Sequence, residues 1–192
     1  MPRVIAGSAG GIQLESPKGV ALRPMMDRVR ASLFDMLWSL GAIRGRVLDL
    51  FAGTGAVGIE ALSRGAEWAD FVELNRKSCQ TIQRNLKRTG FESSARVHCR
   101  RVEDIIAHPE LLGRELPYDL ISVTPPYEEV EYLPLLEQLA ASDLVAPDTV
   151  VVVEHPSEVP LPDRIGPLQR LRERVYGRTR LSVYDYSSEG SE

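Results

Sequence analysis

The chain has 192 residues, 43% hydrophobic and 26% charged, ordinary globular values that allow one domain with a sizeable core. No run approaches the roughly 18–20 apolar residues of a membrane helix, and Met1–Ile5 lacks the charged-then-apolar pattern of a leader, so a cytoplasmic protein without a membrane segment is expected. Cys79 and Cys99 stand 20 residues apart with no CxxC pair or matched histidine, which argues against a disulfide framework and against a metal centre. The net charge of −4 is unevenly spread, +4 over residues 1–46 and −8 over the remainder. That is the balance of a protein that meets a polyanion with one face, or of helical arginines that solvate a surface.

In chain order, Arg3–Ile5 and Ile12–Leu14 read as two short strands around a Gly7–Gly11 turn. A helix is predicted to open within Arg23–Arg30 and run to about Leu40, with Val29, Leu33, Leu37 and Leu40 at helical spacing and Gly41 as its stop. Strand and helix then alternate: strand Val47–Leu50, helix Ala56–Ser63, strand Ala69–Glu73, helix Lys77–Lys87, strand Arg96–Arg100, short helix Val102–Ala107, strand Tyr118–Val123, helix Tyr132–Ala141, strand Val150–Glu154. This alternation predicts a doubly wound, Rossmann-like α/β fold with helices on both faces of a parallel sheet. Strands Leu168–Tyr176 and Arg180–Tyr186, joined at Gly177, predict an antiparallel C-terminal hairpin on the sheet edge and bring the expected count to seven. Three regions follow: a basic hairpin and helix over 1–46, the α/β domain over 47–186 and a polar tail over 187–192.

Four stretches carry chemistry. Asp49–Gly58 (Asp-Leu-Phe-Ala-Gly-Thr-Gly-Ala-Val-Gly) leaves a strand and opens a helix, where glycines let the backbone turn sharply and approach a ligand. Asp49 at the strand end would repel a pyrophosphate and could pair with a cationic, amine-bearing ligand, which argues against a dehydrogenase. Glu73 ends the next strand, 24 residues on, where an acid can accept hydrogen bonds from ribose hydroxyls. Val102-Glu103-Asp104 could bracket an adenine, with either acid meeting its amine, or could simply complement a helix dipole. Finally, Thr124-Pro125-Pro126-Tyr127 leaves a buried strand in a rigid extended turn, able to aim a carbonyl at an amine and to offer Tyr127 as a stacking face.

Asp49–Gly58, Glu73 and Pro125-Pro126-Tyr127 resemble the motifs of class I amino-methyltransferases, whose signature is (Asp/Asn)-Pro-Pro-Tyr. Arg3–Gly7, Arg23–Phe34 (Arg-Pro-Met-Met-Asp-Arg-Val-Arg-Ala-Ser-Leu-Phe), Ala61–Ala66 and Val175-Tyr176-Gly177 are similar, more specifically, to the bacterial RsmD-type family. The resemblance implies S-adenosylmethionine as cofactor and the N2 amine of a guanine in 16S ribosomal RNA as target, in free RNA or in a small-subunit assembly intermediate. It implies that Asp49, Phe51, Gly53, Gly55, Glu73, Leu74, Val102 and Glu103 surround the cofactor. Thr124, Pro125, Pro126 and Tyr127 then meet the target base, and Arg3, Arg23, Arg28 and Arg30 face the RNA. From composition alone, Arg28 and Arg30 cannot both enter an apolar core.

One position departs from the pattern. Thr124 stands where the family has Asp or Asn, and a hydroxyl cannot supply a carboxylate's charge-assisted bond to the amine. The competing expectations are therefore a non-catalytic RNA-binding factor that keeps cofactor affinity, or an amino-methyltransferase acting on DNA or a protein amide.

Overall fold

The computed structural model describes residues 1–113 and 115–186; the polar tail expected over 187–192 lies outside the described residues. Helix α1 (Asp27–Ser39) precedes β1 (Arg46–Leu50), α2 (Ala56–Ser63), β2 (Trp68–Glu73), α3 (Arg76–Thr89), β3 (Ala95–Cys99), α4 (Val102–Ala107), β4 (Leu120–Val123), α5 (Tyr132–Ala140) and β5 (Val150–Pro156). Three strands close the order, β6 (Arg164–Ile165), β7 (Leu168–Tyr176) and β8 (Thr179–Tyr186). All form one sheet in the order β3-β2-β1-β4-β5-β8-β7-β6. The first five are mutually parallel, and β8 runs antiparallel to both β5 and β7.

The central strands are apolar runs because both of their faces are covered. β4 is buried throughout, as is the Val150–Val153 stretch of β5. One core layer joins Val47, Ile59, Phe71 and Ile82 to Val29, Leu33 and Phe34 of α1. The other packs Leu48, Leu50, Ile121 and Val151 against Ile105, Leu136 and Leu139. From β1 the chain moves outward through β2 and β3, then returns across β1 to β4. Such a switch point opens a crevice at the carboxyl ends of the strands, where doubly wound sheets bind ligands. Among the described residues no helix is long and apolar enough to cross a membrane.

Two expectations need correction. Among the described residues the sheet has eight strands rather than seven, because Arg164–Ile165 folds back onto Gln169–Leu168 in a two-residue pairing too short to leave a periodic signal. The leading helix begins at Asp27, inside the expected Arg23–Arg30 stretch: Pro24 disfavours helix before it, and Met26 is extended, with φ −62° and ψ 148°. The N-terminal hairpin forms, but its ladder is the single bridge Arg3–Gln13. It is stapled to α2 instead: Glu60 accepts the Ile5 N–H at 2.8 Å, and the Ser63 hydroxyl accepts the Ala9 N–H at 2.9 Å.

The contact between α2 and β2 leaves no room for a side chain at Gly58. A Cβ added at Gly58 would lie 2.4 Å from Cε1 of the buried Phe71 and 3.2 Å from the Asp49 carboxylate. Alanine improves helix propensity over glycine by up to about 1 kcal/mol, whereas overpacking costs about 1–3 kcal/mol. Gly58→Ala is therefore expected to lose about 1–2 kcal/mol in urea unfolding, against the propensity trend; a stabilised variant would contradict this packing.

Candidate active site

Phe51–Gly55 turns out of β1 with three residues in the left-handed region: Phe51 (φ 61°), Gly53 (φ 58°) and Gly55 (φ 82°). Two carboxylates hold this turn. Glu73 accepts the Gly53 N–H at 3.0 Å through Oε1 and the Asn75 N–H at 2.7 Å through Oε2. Asp49 accepts the Gly58 N–H at 3.0 Å inside the first turns of α2. Asp49 is buried, and burial raises its pKa from 3.8 to about 7, opposed by the Gly58 N–H and reinforced by the nearby Glu73 charge.

Across the switch point, Thr124 donates its hydroxyl to the Phe51 carbonyl at 3.3 Å. The turn after it exposes Pro126 and half-buries Tyr127. The Tyr127 hydroxyl meets Thr179 Oγ1 at 2.6 Å and Glu154 Oε1 at 3.3 Å, while the Arg23 guanidinium lies 4.9 Å over the ring. Burial raises the Tyr127 and Glu154 pKa values.

Between these walls lies a cavity of about 610 Å³, within the usual range for small-molecule sites. Of the residues expected around a cofactor, Phe51, Gly53, Glu73, Leu74, Val102 and Glu103 line it. Asp49 and Gly55 do not; they lie beneath the turn and shape it from below. Glu103 lines the cavity and the alternative acid, Asp104, does not. Thr124, Pro125, Pro126 and Tyr127 close the opposite side.

A family model described as "Conserved hypothetical protein 95" matches residues 2–185. The chain is 37% identical to YlbH of Bacillus subtilis (strain 168), provisionally named an rRNA methyltransferase, over 95% of this chain and 97% of that protein. It is 30% identical to ribosomal RNA small subunit methyltransferase D of Escherichia coli (strain K12), over 98% of this chain and 91% of the relative. A solved Escherichia coli structure, provisionally named the methyltransferase yhhF, superposes with a TM-score of 0.83 at 31% identity, covering 98% of this chain and 99% of its own. The chain belongs to this family. The RsmD-type resemblance carried by Arg23–Phe34 and Pro125-Pro126-Tyr127 is borne out by these relatives, and so is the Rossmann-like methyltransferase fold.

Within this family member the four candidate RNA arginines separate. Arg23 lines the cavity mouth and Arg28 is exposed. Arg3 is exposed and ion-pairs with Asp27 at 3.4 Å. Arg30 has to be corrected: it is fully buried, donating to the carbonyls of Arg3 and Met25 and to Asp27 at 3.0 Å, so it fastens the N-terminal hairpin to α1 and faces no RNA. Two parts of the site escaped the sequence reading. The Ala21–Met25 loop lines the cavity because Pro24 keeps it out of α1, a signal that was present. Glu154 lines it from the end of β5, and a lone acid at a strand end carries no signal of that role.

The Asp49 shift has a consequence for stability. In the unfolded chain Asp49 ionises near 3.8, whereas in the fold it keeps its proton to about 7. Its contribution is full below the lower value and declines as pH rises through the higher one. Asp49→Asn removes that decline while keeping an oxygen for Gly58. The stability difference between variant and wild type, followed by urea unfolding, should therefore shift in the variant's favour between pH 4 and pH 7. A difference that stays constant over this range would contradict the assignment.

Proposed function

We propose that the protein transfers a methyl group from S-adenosylmethionine to the exocyclic N2 amine of a guanine in 16S ribosomal RNA. The observation that carries this reading is the facing of two walls across one switch-point cavity: a glycine turn held by carboxylates, and a Pro-Pro-Tyr turn one strand away. The residues present fit the cofactor's chemistry. Glu73 spends one lone pair of each oxygen on backbone N–H groups and keeps others for ribose hydroxyls. Val102 and Glu103 offer an apolar face and an acceptor for adenine. Glu73 keeps the turn negative and Asp49 adds a buried acid beneath it, which suits a sulfonium and an ammonium group and disfavours a pyrophosphate. The bound cofactor supplies an activated methyl group.

On the other wall, lined by Thr124, Pro125 and Tyr127, the Pro125 carbonyl and the Thr124 oxygen would accept from the amine, and the Tyr127 ring would be the stacking face. A guanine N2 lone pair is delocalised into the ring, so positioned acceptors that draw the nitrogen toward tetrahedral geometry stabilise the transition state. The relatives named for small-subunit rRNA support that substrate, and a nascent subunit of the cytoplasm would present it. Because Thr124 stands where the family signature has Asp or Asn, a second reading stands beside this one: a factor that binds cofactor and RNA without turnover.

Incubation with S-adenosylmethionine and unmethylated small-subunit RNA, followed by mass mapping, is expected to give one N2-methylguanine. Modification of another base, or none with cofactor bound, would overturn the reading in favour of a different substrate or of the non-catalytic factor. In an RNA-binding titration Arg28→Glu should weaken binding, by a margin that shrinks as salt rises because one phosphate contact is lost. Arg30→Ala should instead cost about 1.5–3 kcal/mol of stability, the scale of hydrogen bonds to a charged group.

A further inference from the structure

Glu154 is the residue of the cavity whose position is costly and unexplained. Val123 and Val153 are register partners in β4 and β5, so Glu154, still paired with Leu181 of β8, stands beside Thr124 where the chain leaves β4. Among the described cavity-lining carboxylates Glu154 is the buried one, at 7% exposure. Its Oε1 accepts from the Tyr127 hydroxyl, and its Oε2 is closed to solvent with no hydrogen-bond partner. An unsatisfied buried carboxylate oxygen destabilises a fold, and such groups concentrate where function requires them. Arg23 from the leading loop, Tyr127 from the turn and Tyr132 from α5 are the charged or titratable groups around it. The Tyr132 hydroxyl also lacks a partner. None of these donates to Oε2.

We infer that Glu154 is a catalytic residue, whose carboxylate accepts the target amine and supplies the charged acceptor that Thr124 cannot. This rests on the methyltransferase reading above. As the amine's lone pair forms the nitrogen–carbon bond, the sulfur–carbon bond breaks and its electron pair stays on sulfur. The nitrogen, now cationic, passes its proton to the Glu154 carboxylate, which loses it to solvent once the product has left the cavity. A carboxylate with its proton affinity raised by burial is suited to receive that proton.

Three proteins test this: wild type, Glu154→Gln, and Glu154→Gln with Thr124→Asp. Each is assayed in single turnover across pH, with cofactor affinity by calorimetry and folding by urea unfolding. Glu154→Gln is expected to fold and to bind cofactor as wild type does, yet to methylate roughly 10²–10³-fold more slowly, the scale for losing one positioned group at a developing charge. The wild-type rate should fall as pH drops through a value above the ordinary glutamate range, and the variant should lose that dependence. Thr124→Asp in the double variant should restore much of the rate. In wild type bound to S-adenosylhomocysteine, the side-chain carboxyl ¹³C resonance of Glu154 should shift when substrate RNA is added. A Glu154→Gln protein with wild-type rate and pH profile would overturn the inference. So would a rate loss matched by an equal loss of cofactor affinity, which would make Glu154 a wall of the cofactor site. Wild type that binds cofactor but modifies no RNA would instead defeat the functional reading on which this one stands.

Discussion

The site depends on carboxylates accepting the backbone N–H groups of a glycine turn. Asp49 takes the Gly58 N–H and Glu73 takes those of Gly53 and Asn75, at 2.7–3.0 Å. In a nucleotide site with the same glycine spacing, such amides and the start of the helix turn toward phosphate. Here Gly53 and Gly58 are committed to acids, so the turn presents negative charge and acceptors. That single assignment of donors separates a ligand with a cationic end and a ribose from a dinucleotide.

The two walls of the cavity are mechanically one unit. Phe51 sits in the left-handed region, which costs a non-glycine residue about 1–3 kcal/mol unless its surroundings hold it there. Its carbonyl is held by the Thr124 hydroxyl from β4, and its turn is held by Glu73 from β2. Three adjacent strands thereby share one bonded rim. The leading segment joins the same unit: buried Arg30 and Glu60 fasten the hairpin and α1 to the sheet layer, leaving the Ala21–Met25 loop to carry Arg23 over Tyr127. A threonine at 124 fits this rim through a bond to Phe51, and Glu154 of β5 stands beside it in the strand register.

Much of the fold was legible because its signals are local. The bounds of α2 and α4 follow from glycine spacing and from an apolar start after a strand, and β1, β4 and β5 announce themselves as short apolar runs. Phe51, Gly53, Glu73 and Pro125–Tyr127 were readable because turn chemistry needs those residue types at those positions. What was not legible depends on which groups converge once the chain has folded. Strand β6 exists only through β7. Arg30 is buried because carbonyls of Arg3 and Met25 and the carboxylate of Asp27 converge on it, and no composition rule says which of two neighbouring arginines will turn inward. Asp49 follows the same logic: its type and position were readable, but its distance from the cavity was set by the Gly58 N–H beneath the turn. Glu154 gains its meaning from the register of β5 against β4, which a single strand does not encode.

On this reading the carboxylate-held turn selects S-adenosylmethionine over phosphate-bearing nucleotides. Calorimetric titration of wild type and Glu73→Ala with S-adenosylmethionine, and of wild type with NAD, measures that selection. Saturable binding of S-adenosylmethionine is expected, weakened by about 1.5–3 kcal/mol in the variant, with no binding of NAD. Binding of NAD at the same site, or S-adenosylmethionine affinity indifferent to Glu73, would contradict it.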